Sequence, residues 1–468
     1  MRVGVLWAAF TAATVAQSTS PRVTFIPYAD ARSIIETLGP LAPQDVRSLS
    51  GPSTETQWAR WARAADAGIR QRLAQGEDDS LVNLLLFGTS FTKQPRMTAH
   101  QIETIIKSSA DPASSGATLD AITQGRLDDL VRAASSSGGE RMVFVRTALE
   151  ARGFRLTADD GRSRAKAYLL HELGRVLKDI DRYQRTIQQA AQSPVAGAAF
   201  AVRSGLYRVR GLSPDTSLAP NFAIEQALLE MQARKVLPFI ARVAIIGPGL
   251  DFADKQEGYD FYPQQTVQPF AVMDTLKRLK VTGGSDPQMT TFDLSPRVNA
   301  HIQRLRSEAL RGHGYVLQLP LDAGETWQPD FVRYWSAFGD RIGVPVTPIA
   351  APQNADGVKV RAVEVRATMA ANITPIDLNV VLQRIEVPAD KRFDLVIGTN
   401  IFLYYDEFQQ ALALANIERM MRPGSVLLSN NALVELPSSR LHPAGSTTVA
   451  YSDRPDNGDT IVWYKWSE

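Results

Sequence analysis

The chain has 468 residues, of which 44% are hydrophobic and 21% charged, a composition typical of a globular protein with a sizeable core and enough length for two domains. Lys and Arg total 51 against 49 Asp and Glu, so the formal charge is +2 and favours neither a nucleic acid nor an anionic membrane as partner. The absence of cysteine excludes disulfides, thiolate metal sites and cysteine nucleophiles.

The histidines give no sign of a metal site, because none of them recurs at a spacing that two ligands on one helix would need. We therefore predict that no metal is bound and that each histidine is a surface or capping residue. The five are His100, His171, His301, His313 and His442.

The N-terminus, MRVGVLWAAFTAATVAQSTS, has one Arg, then a run of apolar and small residues, then a small-x-small sequence ending near Ala16. This pattern predicts a signal peptide over residues 1–17 and export to the periplasm or the cell exterior. The alternative is an apolar N-terminal helix of a cytoplasmic protein. No other run is long and apolar enough to predict a membrane span in the mature chain.

Residues 18–236 predict a mainly helical domain. In the stretch Thr54–Leu73, Trp58, Trp61, Ala65 and Ile69 recur at helical spacing. The following Asp78-Asp79-Ser80 predicts an N-cap for a second, apolar helix over residues 81–87.

Two polar turns in this half are open to two interpretations. Gly88–Thr92 is rich in hydroxyls, and Tyr207–Ser217 combines a tyrosine, two arginines and several hydroxyls. Such turns suit recognition of a polar substrate, but they serve equally well as loops that connect helices.

The stretch VAIIGPG, Val243–Gly249, begins the second half of the chain. Its apolar, β-branched residues predict a buried parallel strand, and the two glycines predict a sharp turn in which the backbone comes close to a ligand. A turn of this kind presents nucleotides at the carboxyl edge of doubly wound α/β sheets. The strand over residues 290–293 then ends in Asp293, and a fixed carboxylate at this place suits ribose hydroxyls.

Later residues continue the alternation of strands and helices. Residues 311–366 predict an insertion with two strands and an aromatic helix, Trp327–Phe338. A buried strand is predicted from Phe393 to Asn400, and a helix begins at Asp406. The tail around Asn457-Gly458 predicts an antiparallel hairpin.

Strand–helix repeats that end in an antiparallel hairpin resemble the class I S-adenosylmethionine-dependent methyltransferases. The block FDLVIGTNIFLYYDEFQQALALANIERMMRPGSVLLSN, residues 393–430, is similar to the corresponding block of the chemotaxis-receptor glutamate O-methyltransferases. The resemblance covers roughly residues 237–468. It implies an α/β fold with a doubly wound, Rossmann-like methyltransferase sheet, preceded by the helical domain.

The resemblance also implies S-adenosyl-L-methionine as cofactor and an unidentified methyl acceptor, a small molecule or a protein side chain. Gly247 and Gly249 would line the methionine part of the cofactor, and Asp293 would hold the ribose. The other implied residues are Asp377, Leu378 and Asn379 against the adenine, and Asn400 and Tyr404 facing the sulfonium and the acceptor.

The sequence departs from the family's pattern at the first turn. Ile245 stands where an acidic residue often precedes the first glycine, and Asp251 or Phe252 occupies the third glycine position. Asp251 could supply the missing carboxylate, or cofactor binding could be altered or lost. Two alternatives to a methyltransferase therefore stay open: a non-catalytic exported binding protein that retains the fold, and an NAD-dependent oxidoreductase.

Overall fold

The structure is a computed structural model that describes residues 21–97, 101–102, 121–136, 138–191, 210–251, 258–355, 357–454 and 457–467. The predicted signal peptide, residues 1–17, and Phe252 lie outside these described residues. Export therefore stays a prediction. Within the described part, no helix is both long enough and apolar enough to cross a lipid bilayer.

The centre of the fold is a mixed seven-stranded sheet, which confirms the α/β class. Its spatial order is β13-β14-β12-β11-β3-β5-β9, and all neighbours are parallel except at β14, which runs antiparallel to both β12 and β13. From β3 the chain adds β5 and then β9 on one side. It then crosses to the other side of β3 to form β11, so the strand order reverses between β3 and β11. The bounds are β3 Arg242–Ile246, β5 Gln288–Asp293, β9 Ile373–Asp377, β11 Phe393–Gly398, β12 Met421–Ser429, β13 Leu441–Ala450 and β14 Gly458–Trp466.

Helices cover both faces of this sheet, because the central strands are apolar on both sides: Val243 and Ile245 contact one core cluster, and Ala244 and Ile246 the other. The first cluster includes side chains from α7, α8 and α9. The second includes side chains from α1, α3 and α12. These helices are α1 Tyr28–Leu38, α3 Thr54–Phe87, α7 Ala219–Ala233, α8 Gln268–Leu279, α9 Pro296–Leu310 and α12 Glu407–Met420.

Local sequence signals explain where several elements begin. Asp406 caps α12 in a full capping box with Gln409, and Ser295 with Pro296 begins α9, as the sequence predicts. The predicted terminal hairpin is present as β13 and β14, although β13 begins at Leu441, well before the apolar residues that suggested it. Its exposed, small and polar side chains give a weak strand pattern.

The first half of the chain is largely helical. The predicted break between two helices at Asp78–Ser80 is wrong, because α3 is continuous from Thr54 to Phe87. Asp78 and Asp79 do not cap a helix: Asp78 bonds to Arg152 (2.7 Å) and Tyr168 (2.7 Å), and Asp79 bonds to Arg175 (2.5 Å). Further helices are α2 Gln44–Arg47, α4 Ala121–Ser135, α5 Glu140–Ala151 and α6 Asp159–Ala191.

The segment between α9 and β9 forms a separate antiparallel sheet of order β6-β8-β7, carrying one helix, α10, between β6 and β7. The sequence predicts only two strands in this insertion. The third, β7, has a weak strand pattern, since Pro345 within it removes one hydrogen-bond donor. The bounds are β6 Tyr315–Asp322, α10 Pro329–Ala337, β7 Gly343–Val346 and β8 Val358–Val365, and the short helix α11, Ala367–Ala371, leads into β9.

In the described part of the chain, two pairs of short strands lie outside these sheets. β1, Val23–Phe25, pairs antiparallel with β10, Gln383–Ile385, and so ties the start of the described chain to the segment after β9. β2, Asp215–Thr216, pairs in parallel with β4, Leu250–Asp251, directly after the glycine turn.

Candidate functional site

A cavity of about 860 Å³ opens at the carboxyl edge of the seven-stranded sheet. At this edge parallel strands present ligand-binding loops. The strand order reverses between β3 and β11, and ligands bind at such a position in doubly wound sheets. Helix α3, helix α6, residues 213–220 and the β6–β8 insertion form its other walls. The lining residues that directly follow sheet strands include Gly247, Gly249, Asp293, Leu294, Thr399, Asn400, Asn430 and Asn431.

The glycine turn adopts the backbone conformation that the sequence predicts. Gly247 and Gly249 have φ of +66° and +62°, in the left-handed region that other residues rarely occupy. Protein atoms, however, occupy the space beside both glycines. A Cβ at Gly247 would overlap the side chain of Ile401, and one at Gly249 would lie 2.7 Å from the carbonyl oxygen of Pro214.

Asp293 ends β5 and lines the cavity with 8% of its surface exposed. Its carboxylate accepts hydrogen bonds from the backbone N–H of Ser295 (2.7 Å) and of Gly249. Burial raises the pKa of Asp293 to about 6, although these two bonds and the nearby Arg297 act in the opposite direction. The carboxylate therefore links the second strand to the glycine turn on the cavity wall.

Asp251 lies in β4 and also lines the cavity. Its Oδ2 accepts hydrogen bonds from the Tyr262 hydroxyl and from the Gln265 side chain, both at 2.8 Å. The acidic side chain next to the glycine turn is therefore held in place by neighbours from the following loop. Burial and the adjacent Asp251 raise the pKa of Tyr262 well above its ordinary value, so this hydroxyl stays protonated and donates.

The last residue of β9, Asp377, and the two residues after it have different surroundings. Leu378 lines the cavity, but Asp377 and Asn379 do not. The exposed Asp377 carboxylate pairs with Arg70 (2.8 Å), and the fully buried Asn379 donates to Asp66 (2.8 Å). Of this group, the structure therefore brings only Leu378 to the cavity.

Asn400 lines the cavity at the end of β11 and has a left-handed φ of +59°, which asparagine tolerates better than most residues. Its backbone N–H donates to Oδ1 of Asn430 (2.7 Å), and Asn430 Nδ2 donates back to Oδ1 of Asn400. Tyr404 also lines the cavity, and its carbonyl oxygen accepts from Arg72 (3.0 Å).

Two aromatic segments, Tyr259–Tyr262 in the loop before α8 and the predicted helix Trp327–Phe338, contribute three side chains to the site. Tyr262 lines the cavity from the loop, and Trp327 and Phe331 line it from the insertion, with their rings stacked at 4.8 Å. The other rings of these segments pack in the core. Asp260, between the tyrosines, accepts four hydrogen bonds from Thr89 and Ser90, so the polar turn Gly88–Thr92 is occupied by protein contacts.

The prediction for the histidines is wrong at His301, which is buried and bonds to the Tyr315 hydroxyl (2.9 Å). Burial, followed by Arg304, Arg297 and Arg141, lowers the pKa of His301 to about 4, so it is neutral at pH 7. Among the described residues, no group of His, Asp and Glu side chains is arranged to hold a metal ion.

Sequence reasoning missed two parts of the cavity wall. Asn430 and Asn431 follow β12 and were not expected at the site, although a strand that ends in two polar residues was a usable signal. For residues 213–217 the sequence allows two interpretations, substrate recognition or a simple connecting loop. No local pattern shows that they would pair with β4.

Comparison with solved structures finds methyltransferases, at about the same low similarity in each case. The N-methyltransferase NodS from Bradyrhizobium japonicum has 11% identity and a TM-score of 0.26; the match covers 52% of this chain and 95% of that one. The CMeT domain of the citrinin polyketide synthase has 11% identity, 87% and 96% coverage and a TM-score of 0.27. Human N-acetylserotonin methyltransferase, solved with S-adenosylmethionine, has 11% identity, 89% and 100% coverage and a TM-score of 0.25.

Similarities at this level carry no weight for function. No family model and no curated protein sequence matches the chain. What the chain does must therefore be inferred from its own residues and geometry.

Proposed function

We propose that this chain is an S-adenosylmethionine-dependent methyltransferase that acts on an oxygen or nitrogen nucleophile of its acceptor. One observation carries the proposal. The strand order of the seven-stranded sheet reverses between the parallel strands β3 and β11, and a large cavity opens there. A glycine turn follows β3, and a buried carboxylate ends β5. A nucleoside fits such a site, because the carboxylate can accept hydrogen bonds from two ribose hydroxyls.

The antiparallel hairpin β13–β14 separates this proposal from an NAD-dependent oxidoreductase. That ending is the feature on which the resemblance to class I methyltransferases rests, and it supports the finer assignment of a Rossmann-like methyltransferase sheet within residues 237–468 after a helical domain, residues 18–236. The likeness of residues 393–430 to chemotaxis-receptor methyltransferases remains a proposal of the same kind.

The residues we propose for the cofactor are those that the structure brings to the cavity. Asp293 would hold the ribose, Leu378 would contact the adenine, and the turn at Gly247–Gly249 with Asp251 would face the methionine part. Asn400 and Tyr404 would face the acceptor side. We leave out Asp377 and Asn379, because their side chains bond to Arg70 and Asp66 instead.

The cofactor supplies an electrophilic methyl group, which passes to the acceptor nucleophile and leaves S-adenosylhomocysteine. The protein's part is to align the two reactants and to exclude water, and this does not require an acid–base pair. The site is consistent with that role, since the carboxylates of Asp251 and Asp293 and the Asn400–Asn430 pair are held in place by hydrogen bonds to neighbouring groups.

A panel of calorimetric titrations tests the proposal. S-adenosylmethionine, S-adenosylhomocysteine and NAD would each be titrated into the purified chain. We expect one molecule of each sulfur-containing ligand to bind and NAD to give no saturable heat, because Phe252 stands where the dinucleotide-binding sequence GxGxxG has its third glycine. Binding of NAD alone would favour the oxidoreductase, and binding of none would reject both enzymes.

A further inference from the structure

A segment from outside the sheet covers the glycine turn. Residues 210–217, here called the strap, lie between helix α3 and strand β4 and contact both. The carbonyl oxygen of Pro214 accepts a hydrogen bond from the Leu250 amide (2.8 Å), and Asp215 and Thr216 pair in parallel with Leu250 and Asp251. Every residue from Ser213 to Ser217 also lines the cavity, so the strap is a wall of the proposed cofactor site.

The strap is tied to α3 by backbone contacts that only glycine permits. A Cβ at Gly76 would overlap the carbonyl group of Leu212, and a Cβ at Gly211 would overlap the backbone nitrogen of Gly76. The Leu212 amide donates to the carbonyl oxygen of Arg72 (3.0 Å), and the Arg72 guanidinium donates to that of Arg210 (3.1 and 3.0 Å). The two backbones therefore lie in direct contact.

A second contact holds the middle of the strap. The Ser80 hydroxyl, one turn further along α3, donates to the buried carboxylate of Asp215 (2.6 Å). Directly beyond Asp215, the strap contacts the glycine turn, where a Cβ on Gly249 would lie 3.0 Å from Cβ of Thr216. Gly76 contacts Leu212, and Thr216, four positions further along the strap, contacts Gly249. A displacement at Gly76 would thus be passed on to the glycine turn.

We propose that Gly76 and Gly211 are positioning residues for the cofactor site, although neither lines the cavity. They let the strap lie directly on α3, and that position fixes Pro214 and Thr216 against the turn at Gly249, whose backbone N–H bonds to Asp293. The strap then holds residues 213–217 in the cavity wall, next to the polar parts of a nucleoside ligand. This inference rests on the function proposed above.

The test compares two substitutions on one helix. Gly76→Ala and Gly68→Ala both gain helix propensity on α3, but a Cβ at Gly68 meets nothing within 4 Å. We expect Gly76→Ala to weaken S-adenosylhomocysteine binding by about tenfold or more, as the loss of one or two hydrogen bonds would. Gly68→Ala should bind like the wild type. Hydrogen exchange at the Leu250 amide should accelerate only in Gly76→Ala.

Two further variants separate positioning from general stability. Ile34→Ala opens a cavity in the core at α1 and should lower the melting temperature but leave the affinity unchanged, because Ile34 belongs neither to the strap nor to the cavity wall. Ser80→Ala removes the bond to Asp215 without adding bulk, and should weaken binding even if Gly76→Ala does not fold. The inference is overturned if the wild type binds S-adenosylhomocysteine and both Gly76→Ala and Ser80→Ala bind it equally well. If the wild type itself does not bind, the proposed function fails first.

Discussion

At the scale of single residues, Asp293 carries the proposed site. It is almost fully buried, and two backbone N–H groups hold its carboxylate on the cavity wall. Burial nevertheless raises its pKa to about 6, so a proton competes with the ligand near neutral pH. For stability, a raised carboxyl pKa means that its contribution is largest below the unfolded value and is lost as pH rises through about 6.

This pKa predicts how ligand affinity depends on pH. Only the carboxylate can accept hydrogen bonds from both ribose hydroxyls, so the affinity for S-adenosylhomocysteine should be nearly constant above pH 7 and fall by about tenfold at pH 5, where about a tenth of Asp293 is ionised. Calorimetry across this range measures the effect. Asp293→Asn should bind weakly and without this pH dependence; a variant that keeps the wild-type profile would assign the titration to another group.

At the scale of elements, helix α3 joins the two halves of the molecule. Its first turns pack on the sheet, its middle contacts the strap, and its C-terminal turn leads into Thr89 and Ser90, which bond to Asp260. The Arg126 guanidinium, buried beside this turn, donates to the carbonyl oxygens of Leu85 and Gly88. The end of α3 is therefore fixed to the loop that precedes α8.

Asp260→Asn tests this connection. Each carboxylate oxygen of Asp260 accepts from a backbone N–H and a hydroxyl, and the substitution replaces one of these oxygens with an NH2 group that can only donate. We expect a loss of about 2 kcal/mol or more in the free energy of unfolding, measured by urea denaturation. The control is Asp330→Asn, which changes an exposed pair with Arg333 and should cost less than about 0.5 kcal/mol. Equal losses would show that the Asp260 contacts add nothing to stability.

At the scale of the whole molecule, the sequence predicts the sheet better than its surroundings. The strands at Val243–Ile246 and Phe393–Gly398 are short, apolar and followed by glycine or polar residues, and such signals are local. Asp293 at a strand end and Asp406 at a helix start follow equally from neighbouring residues. These are the parts of the fold and of the site that local patterns can predict.

Long-range contacts decide the rest. In the sequence, Asp78 and Asp79 have the pattern of a helix cap. In the structure they lie inside α3, where Arg152, Tyr168 and Arg175 from other helices bond to them. His301 has no apolar signature of its own and becomes buried because Tyr315 supplies a partner. Gly76 and Gly211 are ordinary glycines in the sequence, and only their backbone contact across 135 residues, that is 211 minus 76, gives them a role.

The most direct test of the central claim is titration of S-adenosylhomocysteine into the wild type, Asp293→Ala and Asp377→Ala at pH 7.5. Both aspartates end neighbouring strands, but only Asp293 lines the cavity. We predict saturable binding of one ligand by the wild type and by Asp377→Ala, and a loss of at least about a hundredfold in Asp293→Ala, since two hydrogen bonds to a charged group are removed. Wild-type affinity in Asp293→Ala would contradict the proposed site.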